Sequence, residues 1–592
     1  MGEIVQGIPV SPGIVFGPAC VMRGTALNVP HATVPAAQVE EEVERFRAAR
    51  AVAVQTTRDL RDRVESRLGK VQAKIFDPQL LMLEDPELID ETITYIRDSY
   101  LTAERAFSVR VLEFRSAWLD ATHARVLDRV ADLSDVQARV LSSLMDLPQN
   151  GSLGDRCSEP FILVAKELTP SHVVELDSAL VLGVATDAGT RTAHASILSR
   201  SLGIPAVVGL GDLSRRIQDG VELILDGSRG KVVVAPTENE RHRYHDREVK
   251  IKEAAEELKH LVDLEPETLD GVRIGLYANL ELPRDAEAVV ALNADGVGLF
   301  RTEFLIVGKA AAPDEEEQYE AFKSVVERVS PRPVTIRTYD LGGDKLPLFM
   351  PPISEENPFL GWRGLRVYHL VPDLFHSQVR AILRAAAHGP VRLLVPMVNS
   401  VEDVRFVQAV LQRARDELRR EGMEHGDLLL GVMLETPAAV AITEVLGRYV
   451  DFFSLGTNDL IQYMLAVDRG NAQLAPFFDL YHPGLLRYIR DAVEAAARAR
   501  RPVCVCGESA SDPLAAALLI GLGIRGLSCA PGALLEQKLL IRSLELGRIE
   551  ELVRELQKGE TGEEIRERLL AELSEAVSLP SLDSISSLSQ QD

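Results

Sequence analysis

The chain has 592 residues, 46% hydrophobic and 26% charged, with 65 Lys and Arg against 89 Asp and Glu for a formal charge of -24. That length allows roughly three or four domains, and the acidic balance disfavours nucleic acid or an anionic membrane as partner, since both are held mainly through Lys and Arg. Five cysteines without a framework spacing, no apolar stretch of membrane-spanning length and no basic start in residues 1–20 together predict a cytoplasmic protein in a reducing compartment.

Residues 1–20 read as short strands broken by turns such as Ser11-Pro12-Gly13. From about Thr33 to Met145 apolar residues recur at three- and four-residue spacing: Val39, Val43 and Phe46, later Phe107, Val111, Phe114 and Trp118. That period predicts helix almost throughout. Ser134 and Asp135 offer caps for a helix starting near Val136. Strands are expected again at 161–165, 179–185, 206–209, 222–225 and 232–235. With the first strands they would form one α/β domain over 1–25 and 146–235, into which the helical segment 26–145 is inserted.

His194 lies within this second group of strands, in the run Asp187 to Ser196. A buried strand ends in a Gly/Thr turn and the pattern becomes helical, with Ile197, Leu198 and Leu202 on one side. The imidazole is thereby expected in a first helical turn, among unpaired N–H groups and the positive end of the dipole. Such a place favours a neutral ring with an anion beside it, which suits a nucleophile that accepts a phosphoryl group. The plainer alternative is a structural histidine or a simple ligand.

Residues 236–262 are highly charged and read as a partly helical, solvated linker. Eight short apolar runs follow, at 274–280, 297–300, 334–336, 393–398, 429–434, 452–455, 503–505 and 526–528, separated by helical stretches. Eight strands alternating with helices predict a (β/α)₈ barrel over 263–574. Arg301, Arg337, Glu435, Asn458 with Asp459, and Cys506 all lie just past an apolar run. Barrel active sites are built at that C-terminal face. The Ser-rich residues 575–592 are expected to fray.

Arg301, Arg337 and Arg469 would converge on one mouth, where planar guanidinium forks bind phosphate or carboxylate. Glu435 and Asp459 supply hard oxygen ligands of the kind that hold Mg²⁺; equally, the arginines and carboxylates could pair among themselves. Cys504 and Cys506 fall on one face of a strand; Cys504 reads as core, Cys506 as a surface thiol available as acid or base. Gly521-Leu522-Gly523-Ile524-Arg525-Gly526 follows a helical run rather than a strand, which rules against a dinucleotide fingerprint. No phosphate-binding loop for ATP is present.

Together these stretches resemble enzyme I of the phosphoenolpyruvate-dependent phosphotransferase system over nearly the whole chain. The resemblance is carried by 10–14 (Val-Ser-Pro-Gly-Ile), the His194 run, 298–304 (Gly-Leu-Phe-Arg-Thr-Glu-Phe), 342–345 (Gly-Gly-Asp-Lys), 356–363 (Glu-Asn-Pro-Phe-Leu-Gly-Trp-Arg), 435–438 (Glu-Thr-Pro-Ala), 456–460 (Gly-Thr-Asn-Asp-Leu), 467–471 (Val-Asp-Arg-Gly-Asn) and 506–508 (Cys-Gly-Glu). It implies a swivelling α/β phosphohistidine domain with an inserted helical subdomain, followed by the barrel. It also implies that phosphoenolpyruvate and Mg²⁺ bind at the barrel mouth and that the phosphoryl group passes to Nε2 of His194. From there it would pass to a histidine of an HPr-type phosphocarrier docked on the helical subdomain, with pyruvate released. By position, Arg301, Arg337, Asn458, Asp459 and Arg469 would hold the substrate, Glu435 and Asp459 the metal, and Cys506 would protonate the enolpyruvate carbon. Lys345 and Arg363 are further candidates for substrate contact, and Thr169 for a hydrogen bond to the imidazole. The family is expected to form a homodimer through the barrel, with the linker as hinge.

Four positions depart from the usual pattern: Thr190 stands for a frequent Gly, Ala193 for Ser or Thr, Gln79 for a histidine common in the helical subdomain, and Ile461 for Thr. The Gln79 departure puts partner recognition most in question. The nearest alternatives are a pyruvate phosphate dikinase or phosphoenolpyruvate synthase, for which the helical insertion is too short to be an ATP-binding domain, and a catalytically silent regulatory homologue, against which the full set of site residues argues. The lack of a sensory segment before Met1 favours sugar uptake over a regulatory relay.

Overall fold

The computed structural model describes residues 2–22, 29–30, 32–68, 73, 76–120, 126–145, 159–168, 180–189, 199, 203–306, 311–342, 349–350, 355–469 and 471–576. They fall into two compact units, one within Met1–Val249 and one built from Lys250–Val307 and Ala311–Asp592.

The first unit holds an eight-stranded sheet in the order β1 (Glu3–Gln6), β8 (Lys231–Val234), β7 (Glu222–Asp226), β3 (Ile14–Met22), β4 (Phe161–Ala165), β5 (Val181–Thr186), β6 (Ala206–Val208), β2 (Ile8–Ser11). Strands β3 to β6 run parallel and the remaining pairs antiparallel. All five residues of β4 are buried, the continuous apolar run of a strand covered on both faces. Parallel neighbours cannot be joined by a tight turn and need a crossover. Between β3 and β4, where Ala19 lies opposite Ile162, that crossover is the whole helical segment.

The segment contains α1 (Val39–Leu68), α2 (Asp77–Glu84), α3 (Pro86–Ser99), α4 (Ala103–Asp120) and α5 (Val126–Leu144). Val39, Val43, Phe46, Phe107 and Val111 are buried in one core with Leu133, Val136 and Val140, and Phe114 packs at its edge. The Phe46 and Phe107 rings lie 5.6 Å apart between centroids. The side chain of Trp118 lies outside the described residues.

The expected helix start near Val136 is not there, because α5 runs straight through Ser134 and Asp135. Asp135 is instead buried and paired one turn on with Arg139 at 2.9 Å. Gln79 of α2 donates its amide nitrogen to Asp132 and Asp135, each at 3.1 Å. The local cap signal was thus spent on a long-range partner. Replacing Gln79 by leucine is expected to destabilise the helical segment by about 1–3 kcal/mol, since it takes hydrogen bonds from two buried carboxylates. Urea unfolding followed by circular dichroism checks this.

The charged stretch after β8 forms a helix, Glu238–Leu258, whose Arg247 donates to Asp226 at 2.7 Å and so binds it to the sheet.

The second unit is a closed barrel of eight parallel strands: β9 (Gly275–Leu280), β10 (Val297–Phe300), β11 (Val334–Arg337), β12 (Val391–Val395), β13 (Leu428–Leu434), β14 (Phe452–Leu455), β15 (Val503–Val505) and β16 (Gly526–Cys529). Closure is made by β16 pairing with β9, Leu527 opposite Leu276. Three expected runs keep their bounds, whereas 393–398 ends early: the chain leaves the strand after Val395, and Met397 takes a left-handed conformation at φ 57°. The glycine-rich run 521–526 links the helix Pro513–Gly521 to β16, as its position after a helix required. The helix Gly562–Ala576 takes in the first two residues of the expected tail, and 577–592 lie outside the described residues. Among the described residues no helix is long and apolar enough to cross a membrane.

Candidate active site

The C-terminal ends of the barrel strands carry the candidate site. Leu299, Leu394, Met433, Phe452 and Cys506 form an apolar cluster. Arg337 ends β11, Arg301, Glu303, Asp340, Glu435 and Asp459 follow strand ends within a few residues, and Arg363 and Arg469 come from the longer connections after β11 and β14.

Glu435 follows β13 directly. Thr436 then caps the helix Pro437–Ala441 by accepting from the Ala439 N–H at 3.3 Å, with Pro437 at the first helical position. The Glu-Thr-Pro-Ala stretch is therefore a strand end followed by a helix start, which fixes the carboxylate at the rim. Gly456, after β14, lets the neighbouring chain come close: a Cβ there would lie 3.0 Å from both Cβ and Oε2 of Glu435. Met397 donates its N–H to Oε1 of Glu435 at 2.6 Å. A methionine with φ 57° is sparsely populated backbone; here that conformation goes with an amide donated to a carboxylate. Oε2 of Glu435 is buried and has no hydrogen-bond partner among the described residues. Burial, and then the nearby Asp459 and Asp340, push Glu435 up from the usual 4.5 to about 8, against Arg363 and Arg337.

Around it runs a buried alternation of charge. Arg337 donates to Glu303 at 2.7 Å and stands 3.6 Å from Asp340. Asp340 accepts from Arg363 at 3.1 and 2.9 Å. Arg363 in turn donates to both oxygens of Asp459, at 2.6 and 3.0 Å, and Arg469 donates to Asp459 at 3.2 Å. Asp459 lies in the first turn of the helix Thr457–Leu465, beside the half-buried Asn458. Arg301, just past β10, is partly exposed and reaches Glu281 at 3.3 Å.

Arg337, Arg469, Glu435 and Asp459 are thus brought together, and the pairing of arginines with carboxylates, left open by the sequence, is realised at Asp459. Cys506 is not the surface thiol expected: it is 2% exposed and belongs to the apolar cluster. It lies one residue past β15 and packs against Leu299, Leu394, Met433 and Phe452 instead of standing free at the rim. Burial pushes its thiol up from the usual range, with Arg337 and Arg301 pulling the other way. Cys504, read as core, is only half-buried. Sequence reasoning missed Glu303, Asp340 and Met397. Glu303 and Asp340 carry the same signal as the others, a charged group just past an apolar run. His194, Thr169, Thr190, Ala193 and Lys345 lie outside the described residues.

The orphaned, buried oxygen of Glu435 fits a bound cation, since an unpaired buried carboxylate is costly and a divalent ion is the usual remedy. Among the described residues no group of three or more His, Cys, Asp or Glu is placed to hold a metal by itself. Any ion here would complete its shell with substrate oxygens or water, as Mg²⁺ does.

A barrel with cationic forks and orphaned carboxylate oxygen at its strand ends is the frame of an enzyme acting on small phosphorylated acids. Three family models match in order: the N-terminal domain of PEP-utilising enzymes over 6–125, their mobile domain over 157–230 and their PEP-binding domain over 255–546. The chain is 37% identical over 556 residues to a phosphoenolpyruvate-protein phosphotransferase of Staphylococcus epidermidis, covering 93% of this chain and 96% of the relative. It is 38% identical over 543 residues to one of Haemophilus influenzae, covering 91% and 94%. A solution structure of an enzyme I protein matches 42% of this chain and 99% of its own at 31% identity, with a TM-score of 0.36. The chain belongs to the phosphoenolpyruvate-protein phosphotransferase family of enzymes.

Proposed function

We propose that the barrel mouth binds phosphoenolpyruvate with Mg²⁺ and transfers its phosphoryl group to Nε2 of His194, which passes it to a histidine of an HPr-type phosphocarrier. The observation that carries this reading is Glu435, buried with one oxygen unpartnered beside Arg337, Arg363 and Asp459. Arg301, Arg337 and Arg469, with Asn458 and the Asp459 segment, bind and orient the two anionic ends of the substrate. Glu435 and Asp459 would hold the metal, which when bound would supply neutralisation of charge on the transferring group. The bond from phosphorus to the enol oxygen breaks as the bond to the His194 nitrogen forms. The enolate carbon takes the thiol proton of Cys506 and leaves as pyruvate, and the thiol is reprotonated from solvent. A thiol held neutral by burial has that proton to give.

His194 belongs to the first unit and must visit both the barrel and the carrier. The segment 236–262 supplies the hinge. The domain division is that of the sequence: α/β phosphohistidine domain at 1–25 and 146–235, carrier-binding helices at 26–145, barrel and homodimer contact at 263–574. The enzyme works in the cytoplasm with neither nucleic acid nor membrane insertion.

Incubation with labelled phosphoenolpyruvate, Mg²⁺ and an HPr-type carrier tests the reading: label should reach the carrier with one pyruvate released per phosphoryl group. Formation of ATP from phosphoenolpyruvate without any carrier would overturn it. Cys506→Ala is expected to slow pyruvate release about 100-fold, the usual scale for a lost proton donor. Its cost in stability should be small, about 1 kcal/mol for one buried atom. Unchanged pyruvate release removes Cys506 from the mechanism.

A further inference from the structure

The two carboxylates assigned to the cation are not equally available. Glu435 has one oxygen on the Met397 amide and the other without a partner. Asp459 has neither oxygen free: Oδ1 accepts from Arg363 Nη1 at 2.6 Å, and Oδ2 from Arg363 Nη2 at 3.0 Å and Arg469 Nη1 at 3.2 Å. Asp459 ligates a cation only by exchanging one of these guanidinium groups. Arg363 is built for such an exchange. It is 2% exposed and lies between two carboxylates, with Nε and Nη2 on Asp340 at 3.1 and 2.9 Å. Asp340 can keep hold of the Nε edge while the other edge turns from Asp459 to a different anion. Tyr463 marks that turning edge: its hydroxyl accepts from Arg363 Nη1 at 3.1 Å and donates to the Phe359 carbonyl at 2.7 Å. The Phe359 ring lies 5.6 Å from the Arg363 guanidinium carbon and 5.8 Å from that of Arg469, so both arginines on Asp459 rest against one ring.

We propose that Arg363 is an exchangeable counter-ion, held on Asp459 until the anionic substrate takes its guanidinium, so that substrate and divalent cation enter the barrel mouth cooperatively. The proposal rests on the metal reading given above. The substrate's phosphate or carboxylate offers the fork the same planar pair of oxygens that Asp459 offers. Once it does, Asp459 is released to the cation. A cation arriving alone meets Glu435 and a neutralised neighbour. The coupling is reciprocal, as linkage requires.

Binding of Mn²⁺ as a probe for the divalent site, followed by the electron paramagnetic resonance of free Mn²⁺, tests this without turnover. Phosphoglycolate serves as an anion with both a phosphate and a carboxylate but no enol to release. In the wild-type chain phosphoglycolate should tighten Mn²⁺ by at least about 10-fold, within the usual range of coupling between sites. Arg363→Lys keeps the charge but loses the fork. It should bind Mn²⁺ alone more tightly than wild type and show coupling reduced to about 2-fold or less. Tyr463→Phe, which leaves every charge in place and loosens the turning edge, should shift both quantities the same way by less. Mn²⁺ affinity and coupling unchanged in both variants would overturn the exchange alone. Mn²⁺ bound by no form of the chain, even with phosphoglycolate, would overturn the metal reading beneath it as well.

Discussion

A chain carrying His194→Ala takes up no acid-labile label from phosphoenolpyruvate, while the wild-type chain becomes labelled in the presence of Mg²⁺. The effect is all-or-none because the other nucleophiles at the barrel mouth are poor substitutes. The Cys506 thiol is buried and held neutral, and Asp459 is buried and keeps Arg469 on one oxygen even when Arg363 turns away. A nitrogen-bound phosphoryl group is acid-labile and alkali-stable, so the label's chemistry reports the acceptor. Substrate binding should survive, because the candidate binding residues lie in the second unit. The measurement is covalent label by gel after brief exposure to acid or base, with substrate binding followed separately by calorimetry. Labelling of His194→Ala at the normal rate refutes the assignment.

Glu435→Gln is expected to lower phosphoryl transfer by at least about 100-fold, the scale on which metal sites respond to losing a ligand or its support. Glutamine keeps the size and can still accept from the Met397 N–H, so the loss isolates the charge. The same substitution should change stability in the opposite direction. Glu435 is pushed up from 4.5 to about 8, first by burial and then by Asp459 and Asp340. Between those two values the folded chain keeps a proton that the unfolded chain has released, so this group's contribution to stability falls as pH rises through that window. With a chelator present, Glu435→Gln should therefore gain on wild type in thermal midpoint from pH 5 to pH 8 and hold that gain above it. Cation binding competes with the same proton, so Mn²⁺ affinity of the wild type should rise over the same range. Parallel melting profiles for the two chains across pH would show that Glu435 is not held protonated by its surroundings.

The two outcomes belong together. A carboxylate in a buried, partly unpaired place costs stability, and sites of chemistry are where such costs persist. The Arg337, Asp340, Arg363 and Asp459 alternation has a similar character, since breaking a buried pair leaves an uncompensated charge. It surrounds the Glu435 oxygen that has no partner among the described residues.

Much of this was legible in the chain before any fold was drawn. The barrel strands announced themselves as short apolar runs, with 297–300, 452–455 and 503–505 standing as expected, because strands of a parallel sheet covered by helices read as largely apolar stretches. The strand-end charges were legible for the same local reason: chemistry in a barrel is carried by the residue after the strand. Tertiary structure alone decided who faces whom. Asp459 and Arg363 are 96 residues apart and Asp340 lies 23 residues before Arg363; the bridge of Gly342 to Arg363 and the side-by-side order of β11 to β14 bring them together. Asp135, a cap by its local pattern, became a buried partner of Gln79 and Arg139, and Cys506, a rim thiol by its position, was buried in an apolar cluster. Periodicity and capping are properties of neighbours along the backbone; burial and ion pairing depend on neighbours in space, and a single chain read end to end does not contain them.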